Sequence, residues 1–202
     1  MTDTTAPRSA RDGLRAWMPT LGLLLMLVAA RDTLANHYTV PSGSMQPALR
    51  AGDRIVVDMR GYGLRIPFTD IRLTDGTPRR GDVVVFDAPD DGTRLVKRVA
   101  AVGGDRVALR DGRLWIDGAP LADGDAAVER FDGRAVPLDL TDGGGPDIAE
   151  GVVPAGHVLV LGDHRGDSRD GRYFGLVRAD AVYGRAVAVY WRSGEGFTWR
   201  RP

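Results

Sequence analysis

Residues 94–102 read Arg94-Leu-Val-Lys-Arg-Val-Ala-Ala-Val102, a run free of Gly and Pro in which apolar side chains surround one lysine. Such a run reads as a β-strand. Alternate side chains of a strand share a face, so Leu95 and Val99 lie on the face of Lys97 and Val96 on the other. Outward from it, similar runs recur: Arg54-Ile-Val-Val-Asp58, Asp82-Val-Val-Val-Phe-Asp87, Arg106-Val-Ala-Leu-Arg110, Arg113-Leu-Trp-Ile-Asp117, His157-Val-Leu-Val-Leu161 and Ala186-Val-Ala-Val-Tyr-Trp191. Asp111-Gly112, between two of them, is a hairpin signal. Residues 119–156, which include Gly143-Gly-Gly-Pro146, are richer in Gly, Pro and Asp and weakly periodic. They read as a loop-rich insertion between two halves of a β-core. No internal repeat is evident. The expected fold class is mainly β.

Composition narrows the chemistry. The 202 residues carry 27 cationic and 27 acidic side chains, and 26 of the cations are Arg, leaving Lys97 as the one Lys. A chain this neutral offers no polybasic arm to nucleic acid. The absence of Cys excludes a thiol nucleophile, disulfides and thiolate metal sites. Asp outnumbers Glu by 24 to 3, and with 27 Gly this favours turns over helix interiors. The length suits one domain with enough core to stand without cross-links.

The N-terminus carries an address. Ala16 to Ala30 is uncharged and bracketed by Arg15 and Arg31. Fifteen helical residues span roughly 22 Å against a hydrocarbon core of ~30 Å. Extension through Leu34 and Ala35, with Arg31 snorkelling to the interface, makes a single membrane-anchor helix over residues 16–35. Arg8, Arg11 and Arg15 outnumber Asp3 and Asp12 ahead of it, which places tail 1–15 in the cytoplasm and domain 36–202 across the membrane. A cleavable secretory signal ending at Val28-Ala29-Ala30 is the alternative, and a buried helix of a soluble protein is a third.

An exposed strand lysine is the ordinary explanation of Lys97. A chain that otherwise uses Arg has kept Lys at the one place where titration would distinguish the two, because Arg cannot lose its proton. Near neutrality an ordinary Lys is about 0.1% free amine, and half deprotonation requires a shift of ~3 units, or ~4 kcal/mol. Full burial can supply it, given an apolar wall and no adjacent carboxylate. Val40-Pro-Ser-Gly-Ser-Met-Gln-Pro47 offers the hydroxyls of Ser42 and Ser44 in a loop stiffened by two prolines. Gly162-Asp-His-Arg-Gly-Asp-Ser-Arg-Asp-Gly-Arg-Tyr-Phe-Gly175 is a polar loop after an apolar strand. Taken alone, the first is a turn and the second a solvated loop braced by Asp170 with Arg172 or Arg165.

Together, Pro-Ser-Gly-Ser-Met-x-Pro after an apolar segment, Gly52-Asp-Arg-Ile-Val-Val-Asp58, Arg80-Gly-Asp-Val-Val-Val-Phe86 leading to Val96-Lys97-Arg98-Val99, and the final Gly-Asp loop resemble the type I signal peptidases in order and spacing. The resemblance runs from about residue 31 to 190, apart from the insertion. It implies a Ser/Lys dyad with Ser44 as nucleophile and Lys97 as general base. It further implies Ser42 as a side-chain donor to the oxyanion hole, Ser168 orienting the Lys amine, and Asp170 and Arg172 bracing the site. Implied substrates are secretory preproteins bound as an extended strand and cut after small residues at Ala-x-Ala-like sites on the outer face of the cytoplasmic membrane. The bilayer is the other expected partner; no cofactor, no metal, no nucleic acid and a monomeric state are expected. His164 stands where the family usually has Asn, Gly171 where a second Ser is common, and Ala48 where Thr is common.

Other readings are a conjugation-type maturation peptidase of the same fold, a non-catalytic membrane-anchored β-domain, and a self-cleaving repressor. The last would carry a helix-turn-helix in place of the apolar N-terminus. A chymotrypsin-like site at Gly166-Asp167-Ser168 with His37 or His157 as base lacks the glycines such a loop uses, and neither Gly-x-Ser-x-Gly nor Ser-x-x-Lys occurs. A calcium loop counted from Asp163 would place Phe174 at its twelfth position, where no ligand is available.

Overall fold

The computed structural model describes residues 17–23, 35–62, 76–122 and 126–202. Residues 17–23 form a helical segment, α1, with Trp17, Met18, Leu21 and Leu23 exposed. Among the described residues no helix is long and apolar enough to cross a membrane, and residues 16 and 24–34 of the expected anchor lie outside them. Ala35, read from the sequence as the last anchor residue, is the first residue of strand β1 (Ala35–Thr39).

Among the described residues the main sheet has eight strands. β1 pairs with β2 (Arg54–Asp58), followed across the sheet by β13 (Val182–Arg192), β3 (Val83–Asp87), β4 (Arg94–Val102), β11 (His157–Leu161) and β12 (Val177–Arg178). β14 (Gly196–Arg200) adds to β13. The named pairings are antiparallel, and of these only β3–β4 and β13–β14 are closed by short turns. β4 is a central strand, which explains its apolar run. Val99, Ala100 and Ala101 are each about 99% or more removed from solvent and pack into clusters on both sides.

Residues 119–156 hold more order than their composition suggests. A second sheet runs β10 (Ile148–Val152), β5 (Arg106–Arg110), β6 (Arg113–Ile116), β7 (Ala119–Pro120), and β8 (Val128–Phe131) pairs with β9 (Arg134–Pro137). The insertion therefore takes in β5 and β6, which the sequence pattern alone would assign to the main core. Asp-Gly pairs build its turns: Asp111 and Gly112 (φ 49° and 74°), Asp117 and Gly118 (52° and 80°), Asp132 and Gly133 (48° and 78°). Both residues of a tight hairpin turn need positive φ, which Gly adopts freely and Asp tolerates. This accounts for part of the Asp excess.

Val107, Leu109, Leu114, Ile116, Phe131 and Val136 of the insertion pack on Ala100, Ala101, Leu159 and Leu161 of the main sheet. The insertion is thereby held against the ends of β4 and β11. On the other side, Phe86 of β3 is fully buried and meets Phe174 edge-to-face at 6.0 Å. Phe174 closes the short helix α2 (Gly171–Phe174), so this contact ties α2 to the sheet. Phe86→Ala is expected to cost about 3–5 kcal/mol. Chemical denaturation of the purified protein would measure it, and a loss below about 1 kcal/mol would contradict the packing described.

Candidate active site

Ser44 lies in the loop between β1 and β2. The neighbouring Met45 and Leu49 are buried among Val40, Ile55, Val57, Val83 and Val85. With Val40 ahead of the serine and Met45 and Leu49 after it, the loop is plugged into the core from both sides, and Leu49 N–H bonds Met45 O at 2.8 Å. Asp53, with no exposed surface, accepts from Arg50 N–H (2.9 Å) and Ser193 N–H (3.1 Å) and pairs with Arg192 at 3.2 Å. Arg192 also donates to Ala48 O at 2.9 Å, closing the loop against the end of β13.

Lys97 arrives from β4, in register with Val84 of β3. Its side chain is buried, and Nζ lies 2.5 Å from Ser44 Oγ. Ser42 Oγ is exposed and 3.3 Å from the same oxygen. A protonated amine donates in the Lys97–Ser44 contact; a neutral amine accepts the Ser44 proton instead.

Burial pushes the Lys97 amine down to about 8 from its ordinary 10.5. The carboxylates of Asp170, Asp163 and Asp167 oppose that shift, and Arg172 reinforces it. Of the two conditions set from the sequence, an apolar wall and no adjacent carboxylate, burial is met and the second is not, since carboxylates act against the shift.

Two of those carboxylates are each paired with an arginine. Arg98 grips Asp163 with Nε–Oδ1 at 2.8 Å and Nη2–Oδ2 at 2.7 Å, both side chains buried. Arg172 grips Asp170 with Nε–Oδ1 and Nη2–Oδ2 both at 2.8 Å. Burial pushes the Asp170 carboxyl up, but hydrogen bonds from Arg172, Gly162 N–H and Ser168 outweigh it and hold it below the usual range. The Asp170–Arg172 brace is thus internal, where the sequence alone suggested a solvated turn. Arg165 takes a different partner, Glu129.

Gly162 lies at the joint. β11 pairs Leu161 with Arg98, so the residue after Leu161 enters the loop beside Lys97. A methyl group on Gly162 would stand 2.2 Å from Ser168 Oγ and 2.5 Å from Ser44 O. Only hydrogen fits there. Asp170 Oδ2 accepts from both Gly162 N–H and Ser168 Oγ, each at 2.8 Å. His164 N–H bonds Ser44 O at 3.2 Å, and its Nε2 meets Asp142 Oδ2 at 2.8 Å. His164 thus supports the Ser44 backbone rather than its hydroxyl.

The fold gathers Ser42, Ser44 and Lys97 into one hydrogen-bonded set, and Ser168, Asp170 and Arg172 into another that meets it at Gly162. Neither alternative base joins Ser168: His37 packs edge-on to Tyr190 at 6.3 Å, and His157 meets Ala155 O at 3.2 Å. Asp163 and Asp170 each face an arginine, so neither is open to a cation.

A family model described as signal peptidase, peptidase S26, matches residues 14–191. The chain belongs to that family. It is 33% identical over 204 residues to a signal peptidase I of Pseudomonas fluorescens, covering 87% of this chain and 70% of the relative. Signal peptidase IB of Staphylococcus aureus strain Mu50 is 28% identical over 187 residues, covering 90% and 92%. A crystal structure of a signal peptidase I from Enterococcus faecalis V583 covers 55% of this chain and 98% of its own, at 31% identity and a TM-score of 0.39. As a member of the signal peptidase family the chain is a serine endopeptidase.

Sequence reading passed over several residues around Ser44 and Lys97. The Arg98–Asp163 pair, Gly162 as a contact point and the Glu129 carboxylate were not singled out. Glu129 did carry a signal, since it is one of three Glu in a chain that otherwise uses Asp.

Two outcomes follow. Gly162→Ala is expected to lower peptidase turnover by about 10²-fold, as displacements near 1 Å do, with the fold retained by circular dichroism; unchanged turnover would contradict the contact. Lys97→Met is expected to stabilise the protein at pH 7 by about 1–3 kcal/mol, because one pKa unit corresponds to about 1.4 kcal/mol. The lysine's folded value, about 8, lies below its unfolded value of 10.5, so the cost of burying the charge is full below pH 8. That cost fades between those two values, and thermal unfolding of both proteins at pH 7 and pH 10.5 should show the advantage disappearing.

Proposed function

We propose that the protein removes N-terminal signal peptides from exported preproteins, with Ser44 as nucleophile and Lys97 as general base. The observation that carries this is the 2.5 Å contact between Ser44 Oγ and a buried lysine nitrogen, on a chain of the signal peptidase family. Neutral Lys97 takes the Ser44 proton as Oγ attacks the scissile carbonyl, then returns it to the leaving amine. Ser42 Oγ, on the exposed side of Ser44, turns to the developing oxyanion beside the Ser44 N–H. Ser168 Oγ donates a hydrogen bond to Asp170, which leaves its own lone pairs to receive and orient the Lys97 amine. Arg172 keeps Asp170 ionised for that task. Ser44 is half-buried and Lys97 buried behind it, so substrate meets the hydroxyl while water is kept from the amine.

The placement follows from the N-terminal segment. Residues 16–34, up to the start of β1, anchor the chain in the bilayer, with residues 1–15 cytoplasmic and the domain from β1 onward on the outer face. Trp17, Met18, Leu21 and Leu23 are each more than half exposed on α1, as side chains bound for lipid would be. The substrate is a preprotein with small residues before the cut.

Mass spectrometry of a synthetic signal-peptide substrate incubated with detergent-solubilised protein tests this directly. Wild type should cut after an Ala-x-Ala site, whereas Ser44→Ala and Lys97→Arg should lose nearly all turnover; full cleavage by Ser44→Ala would sink the assignment. Activity should rise with pH through about 8, since about a tenth of the amine is free at pH 7 when its value is near 8. Asp167 is exposed, and its charge holds the Lys97 value up. Asp167→Asn should therefore move the rising limb of the pH–rate profile to lower pH; a shift to higher pH would contradict the electrostatics described.

A further inference from the structure

Gly162 is held at both ends of its backbone. Asp170 accepts from its N–H, and Arg165 Nε donates to its carbonyl at 3.0 Å. Arg165 is 2% exposed and built into a socket of its own. Its Nη1 and Nη2 reach Glu129 Oε1 at 3.0 Å and Oε2 at 2.7 Å, and Nη1 also bonds Gly112 O. Its backbone carbonyl accepts from Arg172 Nη2 at 2.7 Å. Glu129, with no exposed surface, uses Oε1 again to accept from Leu114 N–H at 2.8 Å. Glu129 therefore sits on β8, bonded to the start of β6 and to the loop that carries Ser168.

We propose that Glu129 is a positioning residue for the Ser44–Lys97 site, acting through the Arg165 guanidinium on the Gly162 carbonyl. The proposal rests on the reading of Ser44 and Lys97 as the reacting pair. The Glu129 carboxylate fixes the plane of the guanidinium, because a two-pronged contact leaves it no rotation. The fixed guanidinium aims Nε at the Gly162 oxygen. Gly162 then has one permitted position, with its α-carbon against Ser44 O and Ser168 Oγ. Without Glu129 the arginine is a buried cation with only carbonyls to face, and it would turn toward solvent, taking the Gly162 peptide with it. The β8–β9 pair, backed by Leu114 and Gly112 of the β5–β6 hairpin, is in this way part of the site.

The test separates positioning from folding. Replacing both partners with apolar side chains of similar size removes the buried charges together, a change that buried ion pairs often tolerate without loss of stability. The double variant Glu129→Leu/Arg165→Met and the single variant Glu129→Gln would be compared with wild type in peptide cleavage and thermal unfolding in the same detergent. The double variant should keep its unfolding midpoint and its KM within about twofold, while kcat falls about 10- to 100-fold. A folded double variant with wild-type kcat would overturn the proposal. If that variant does not fold, Glu129→Gln decides. It keeps the oxygen that accepts from Leu114 but not the charge that holds Arg165. A kcat loss of about tenfold at unchanged KM supports positioning, and kcat within about twofold of wild type overturns it. Failure of wild type itself to cleave the peptide would overturn the Ser44–Lys97 reading, and this proposal with it.

Discussion

A lysine can act as a base near neutrality only if nothing beside it keeps it charged. Three aspartates, Asp163, Asp167 and Asp170, act on Lys97 against burial, and one unpaired carboxylate within about 4–6 Å can shift a neighbour by 1–3 units, enough to undo what burial achieves. The site avoids this by giving Asp163 and Asp170 an arginine each, Arg98 and Arg172. Those arginines pair the carboxylates without cancelling them; desolvation remains the largest influence and the amine falls to about 8. The rest of the architecture can be read as the means of holding those pairs in place.

The main sheet does this through register. Lys97 and Arg98 are consecutive on β4, and the pairing of Leu161 with Arg98 delivers the Gly162–Asp170 loop to the same end. Arg98 meets Asp163 there, and Asp170 turns back on the Gly162 N–H. Ser44 comes from a third piece of chain, fixed by Met45 and Leu49 in the core and by Gly162 and His164 at its carbonyl. Buried ion pairs contribute little net stability, yet breaking one by removing a single partner costs about 3–5 kcal/mol. Four such arginine pairs, on Asp53, Asp163, Asp170 and Glu129, make the region around the site intolerant of partial change. The arginine bias fits this demand, because a planar guanidinium satisfies two carboxylate oxygens at once and never titrates.

Much of the fold was legible from local pattern. Strands β2, β4, β5 and β11 have the limits that alternation and apolar runs suggest. β8 and β9 escaped because Glu129 and Arg130 interrupt the apolar alternation. Their turn, Asp132-Gly133, carries the same signal as Asp111-Gly112 but lies in a stretch whose Gly and Pro content reads as loop. β12 has two residues, too few for any periodicity.

By itself the sequence determined the β-rich class, the chemistry available without cysteine, and the short motifs holding Ser42, Ser44, Lys97, Ser168, Asp170 and Arg172. These depend on neighbours a few residues apart, where spacing is set by covalent geometry and strand period. Tertiary structure alone decided which charges meet. Ser44 and Lys97 are 53 positions apart, Arg98 and Asp163 65, and Glu129 and Arg165 36. Over such separations the chain imposes no distance, and any of the 26 arginines had an aspartate within reach in principle. Sheet register and the packing of the second sheet chose among them, and that choice sets whether Lys97 is a surface cation or a buried amine that can lose its proton.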